Sequence, residues 1–92
     1  MKSLTPKTTH GISADKIVER FKRHLVYDLL QAVSAETGVS EIELASASRS
    51  ARVVKARVSV YRALREKGWS YPDIGALMDK DHSTVYVALN RR

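Results

Sequence analysis

Apolar residues recur along most of this chain at intervals of three and four, and no stretch alternates with period two. That pattern predicts helices and no strands. Residues Met1 to Ile12 hold Pro6, Gly11 and three threonines without an apolar period, so they are expected to be a disordered polar tail that cannot offset its ordering entropy by burial. From Ser13, a potential cap with Asp15 in the first turn, Ile17, Phe21, Leu25, Leu29 and Val33 fall on one face. One long first helix is expected, running to about Thr37. Gly38 supplies a left-handed stop, and Ser40 with Glu43 makes a capping box for a short second helix from Glu41 to about Ser46. A third helix follows from near Ala51 to Lys67, with Val54, Val58, Tyr61 and Leu64 facing inward and Gly68 ending it.

The last stretch, Trp69 to Arg92, has the most specific pattern. Ser70 caps a fourth helix with Pro72 in its first turn and Asp73 near its positive end, and Trp69 is expected to pack just ahead of the cap. Ile74-Gly75-Ala76-Leu77-Met78 carries the apolar spacing, and Asp79-Lys80-Asp81 breaks it. Asp79 can take the left-handed conformation that such a break needs. A fifth helix covers about His82 to Asn90, with Val85 and Leu89 one turn apart. Two short helices around a tight turn, with small Gly75 where they would approach closely, form a helix-turn-helix over about residues 71–90. The expected architecture is all-α, five helices, with residues 13–92 as one helical domain.

Composition narrows the function. Ninety-two residues leave no room for a second domain, and Lys plus Arg outnumber Asp plus Glu by 16 to 10, giving a net charge of +6. That balance suits a partner made of phosphates. The excess is concentrated: Arg49, Arg52, Lys55, Arg57, Arg62, Arg65 and Lys67 stand against the single acid Glu66. A second basic group, Lys16, Arg20, Lys22 and Arg23, crowds the start of the first helix. It reads either as a solvated face or as an added phosphate contact or dimer arm. There is no cysteine, hence no disulfide and no thiolate site, and no segment with a signal peptide's or membrane span's apolar run. A cytoplasmic, nucleoid-associated protein is expected. Its polar start with Met1 favours a complete chain over an excised domain.

Catalysis is not expected. Asp81-His82-Ser83 has the residue types of a hydrolytic triad, but successive helical positions point about 100° apart and cannot form its hydrogen-bonded line. His10 and His24 lack companions at metal-ligand spacing, and the glycines, at 11, 38, 68 and 75, form no phosphate-binding loop. We expect no cofactor, no metal and no small-molecule substrate. The start of the fifth helix offers different chemistry: unpaired N–H groups for phosphate, and the side chains Asp81, His82, Ser83 and Thr84 for base edges in a DNA major groove. Two of these have structural alternatives, Asp81 as the helix N-cap and Ser83 as a packing residue.

Lys80-Asp81-His82-Ser83-Thr84-Val85, preceded by Ser70-Tyr71-Pro72-Asp73-Ile74-Gly75, resembles the C-terminal DNA-binding domain of the bacterial replication initiator DnaA, a Trp-repressor-like helix-turn-helix. Val54-Lys55-Ala56-Arg57 is similar to the start of that family's central helix, Arg49 falls in its basic loop, and Val26, Leu29 and Val33 match its first helix. The resemblance covers about residues 25–90. It implies that Asp81, His82, Ser83 and Thr84 touch bases and phosphates, with Lys80 in place of the family's arginine. Arg49 would enter the adjacent minor groove and Pro72 would lie at a phosphate-facing helix start; Arg52, Lys55 and Arg57 of the basic segment are DNA-binding candidates beside them. This chain departs from the family in a turn one residue shorter and in a connection at Gly68 also about one residue shorter. The ATPase module that precedes the domain in the initiator has no counterpart here.

These readings imply a sequence-specific double-stranded DNA-binding protein, reading a DnaA-box-like site in transcription or replication. An alternative is an interaction module in which the first helix pairs with a second copy or with a replication or transcription protein. A third is nonspecific coating of nucleic acid, for which +6 is low.

Overall fold

The computed structural model describes residues 12–90, which form six helices and no strand among the described residues. They are α1 (Ala14–Arg23), α2 (Tyr27–Thr37), α3 (Glu41–Ala45), α4 (Ala51–Glu66), α5 (Tyr71–Met78) and α6 (His82–Asn90). The all-α expectation is met, with one helix more than the apolar period suggested. What reads as one long helix is two. Arg23 ends α1 in a Schellman turn: Val26 N–H donates to Phe21 O at 2.9 Å and Leu25 N–H to Lys22 O at 3.1 Å, with Leu25 left-handed at φ 61°. Leu25, expected on the inward face, is 86% exposed.

Both halves spend their apolar faces inside the chain. Ile17, Val18 and Phe21 of α1 and Leu29, Leu30 and Val33 of α2 are buried. They join Leu44, Val53, Val60, Leu64, Ile74, Met78 and Val85 in one core cluster, each such side chain contributing about 1.5–3 kcal/mol by leaving water. Of the apolar face that suggested dimerisation, Ile17, Phe21, Leu29 and Val33 are thus covered within the chain and Leu25 is not. Ile12, assigned to the tail, also packs on this core. The rest of that assignment, residues 1–11, lies outside the described residues.

Helix α4 is rotated relative to its expected phase. Val53, Ala56, Val60, Tyr61 and Leu64 face the core, whereas Val54 is exposed and Val58 half-buried. The run Val53-Val54 offers two apolar stripes, and the core takes the one in line with Ala56 and Val60.

Local signals fall where the residue types place them. Ser40 and Glu43 complete their capping box at the start of α3, and Gly38 is left-handed at the end of α2. Ser70 Oγ accepts the N–H of Asp73 at 3.1 Å, and Asp79 ends α5 in the left-handed region at φ 59°. Trp69 meets the end of α1, its ring edge-on to His24 with centroids 5.7 Å apart.

Candidate nucleic-acid interface

The turn between α5 and α6 determines how α6 is presented. Gly75 O accepts from both Asp79 N–H and, at 2.8 Å, Lys80 N–H, which folds the turn back on the end of α5. Only a glycine leaves space there, because a β-carbon would stand 2.5 Å from Lys80 O. The edge-on pair Tyr71–Tyr86, with centroids 5.2 Å apart, then ties the start of α5 to the middle of α6.

Helix α6 buries Val85 alone and leaves its first turn outside. Asp81 O accepts from Thr84 N–H at 3.0 Å and Val85 N–H at 3.3 Å, so Asp81 occupies the N-cap position. Its carboxylate stays exposed, 3.9 Å from His82 Nδ1. His82, Ser83 and Thr84 are exposed as well, which removes Ser83 from the packing role.

Beside them lies a groove of about 650 Å³ between α6, α4 and the α3–α4 loop. Arg49, Lys80 and Thr84 give it charge and a hydroxyl, and Val54, Val58 and Val87 form apolar walls. The valines went unnoticed in the sequence because Val54 and Val58 read as core. Val87 carried no distinguishing signal. Such a surface offers cations and hydroxyls to phosphates, and methyl groups to a thymine methyl.

Serines shape the loop that carries Arg49. Ser46 Oγ accepts Ser48 N–H and Ser48 Oγ accepts Ser50 N–H, each at 3.2 Å, while Ser46 Oγ donates to Glu43 O at 2.7 Å. Hydroxyls thus satisfy backbone that a helix or strand would otherwise pair. Arg57 holds the same loop from below. Its guanidinium donates from Nε to Leu44 O at 3.0 Å and from Nη2 to Ser46 O at 2.8 Å.

Arg57 accordingly departs from the expected set of surface contacts. It is only 5% exposed and acts as a brace, because two helix-end carbonyls need a forked donor. Arg49, Lys55 and Pro72 are exposed as expected, and Arg52 is exposed but ion-paired to Glu43 at 3.3 Å. Lys80 is half-buried, and burial, together with the nearby Arg57 and Arg49, holds its ammonium below the usual lysine range, an effect that Asp79 partly opposes. Three cations thus converge on one wall of the groove. Among the described residues no cluster of His, Cys, Asp and Glu could hold a metal, and no helix is long and apolar enough to cross a membrane.

Residues 26–91 match the family described as bacterial dnaA protein helix-turn-helix. Helix α1 lies ahead of that match. Neither the curated proteins nor the solved structures contain a match to the chain.

Proposed function

The chain belongs to the bacterial DnaA helix-turn-helix family, and from that premise we propose that it is a sequence-specific double-stranded DNA-binding protein that reads a DnaA-box-like site. The observation that carries the reading is the shared groove: the exposed first turn of α6 stands beside Arg49 and Lys80. In this proposal α6 enters the major groove with His82, Ser83 and Thr84 at base edges and Asp81 at a cytosine amine. Arg49 reaches the neighbouring minor groove from its serine-ordered loop. Lys55, Arg52 after release from Glu43, Lys80 and the start of α5 around Pro72 meet phosphates. These contacts fix register, and the base contacts supply discrimination.

The biological role in this reading is regulatory: occupation of initiator-like boxes on the nucleoid, in transcription or in competition with the initiator at replication origins. Against the dimerisation alternative, Ile17, Phe21, Leu29 and Val33 of the face that motivated it are buried within the chain, while Leu25 of that face is exposed. Paired titrations test the proposal. At about 150 mM salt, a duplex carrying an initiator box should bind at least about 10³-fold more tightly than the same duplex with the box scrambled. Equal affinities would contradict specific reading.

A further inference from the structure

A second groove, of about 740 Å³, lies where the end of α1, the end of α4 and the start of α5 meet. Arg23 and His24 come to it from the end of α1, Lys67 from the cap of α4, and Trp69 and Asp73 from the entry to α5. The edge-on rings of His24 and Trp69 join α1 to that entry, and Arg20 Nη1 fastens α1 further along by donating to Ala76 O at 2.7 Å. Helix α1 is therefore a fixed wall beside α5.

The charge of this groove is one-sided. Arg20, Arg23 and Lys67 line it against one acid, Asp73. Arg20 is engaged with Ala76 O, whereas Arg23 and Lys67 are exposed, and neither side chain is ion-paired among the described residues. The ends of α1 and α4 carry partial negative charge, which eases the crowding of cations without neutralising them. We propose that the groove is a second phosphate-binding surface, in which Arg23 and Lys67 each meet a phosphate of the duplex flanking the site read by α6. The proposal rests on the reading that the start of α5 faces DNA.

Continuity and charge both favour that occupant. Asp73 follows Pro72 in the first turn of α5, the turn that meets phosphate in that reading, so the groove opens beside the same helix start. Duplex DNA presents a charge about every 1.7 Å along its axis, so backbone held at α5 brings further phosphates within reach of long side chains beside it. Helix α1 precedes the family match, which begins at residue 26, so Arg23 would give this chain a contact that the matched segment lacks.

The test uses the full chain, the double variant R23Q/K67Q and the control K16Q/K22Q, which removes equal charge from α1 outside the groove. The duplex carries an initiator box with about 10 base pairs, one helical turn, on each side. Each lost phosphate contact should lower the slope of log affinity against log salt by about 0.9, so the slope for R23Q/K67Q should fall by nearly 2. Its deficit against wild type should accordingly shrink about ten-fold between about 50 and 200 mM salt. The control and the charge-preserving R23K/K67R should keep the wild-type slope, and preference for the box over a scrambled duplex should be the same in all of them. An unchanged slope for R23Q/K67Q would overturn the proposal, and a lower urea midpoint with it would assign the two cations to the ends of α1 and α4 alone. An equal fall in the control would also overturn it, by showing that net charge acts and not the groove. A wild type that binds every duplex equally refutes the specific reading while the slope still reports on the groove, and a wild type that discriminates with no slope change in the variant refutes the groove alone. A chain that binds no duplex refutes both.

Discussion

Gly75 Cα lies under the backbone carbonyl of Lys80, so close that a β-carbon added to it would stand 2.5 Å from that oxygen and 3.3 Å from His82 N. Both neighbours are backbone, so neither can swing aside. Gly75→Ala should therefore lift the turn, destabilise the fold by about 1–3 kcal/mol and displace the first turn of α6. Urea unfolding with a parallel DNA titration checks this. A variant as stable as the wild type would mean that the turn is looser than drawn.

Leu25 carries the opposite expectation. It is left-handed at φ 61° and 86% exposed, so its side chain contributes little packing while its backbone is unfavourable for any residue with a β-carbon. Leu25→Gly should raise stability by about 1 kcal/mol, read as a higher urea midpoint with the same slope. A loss of stability would show that the Leu25 side chain has a partner.

Arg57 and Arg49 separate bracing from contact. Arg57→Ala removes the shared donor from Leu44 O and Ser46 O and should cost about 2–4 kcal/mol of stability. Arg57→Lys should recover only part of it, since an ammonium lacks the fork. Arg49→Ala, on an exposed loop residue, should stay within about 0.5 kcal/mol of wild type while weakening DNA discrimination. If Arg57→Ala left stability unchanged, its assignment as a brace would fall.

Lys80 couples pH to both properties. Its pKa is held below the usual lysine value by burial, by Arg57 and by Arg49, so at neutral pH the folded chain carries a charge it disfavours. Between the lowered folded value and the ordinary value near 10.5, the unfolded chain binds more protons, and stability from this group rises with pH. Lys80→Met should be more stable than wild type at pH 7, with the advantage shrinking as pH approaches 10.5. It should bind DNA more weakly, with a salt slope smaller by about 0.9. A variant less stable at pH 7 would contradict a net penalty for the charged Lys80 from burial and from Arg57 and Arg49.

The features that proved legible in the sequence are those that depend on a few adjacent residues. Ser40 with Glu43, Gly38, Ser70 before Pro72, Gly75 and left-handed Asp79 each satisfy a local backbone requirement, and the structure uses each one. What stayed hidden depends on partners far along the chain. The α1–α2 break lacks the glycine that usually marks a Schellman turn, and the four-residue period through Leu25 runs straight across it. Arg57 looked like one more surface cation in a basic run, because nothing in its neighbours reveals that the carbonyls of Leu44 and Ser46 lie beneath it. The phase of α4 depended on choosing between adjacent valines, which only the core decides. The first turn of α6 was readable because exposure at a helix start follows from position, whereas the Val54–Val87 groove required the packed fold.

The measurement that tests the central claim most directly is selection of preferred sites from random duplex DNA by wild type, His82→Ala and Arg49→Ala, at two salt concentrations. The account predicts that wild type enriches an initiator-like motif that survives at about 150 mM salt. His82→Ala should relax it at the bases facing α6 and Arg49→Ala at the flanking minor groove, each losing about 1–3 kcal/mol of discrimination. No enriched motif, with binding that disappears as salt rises, would contradict specific readout and leave only attraction to phosphate.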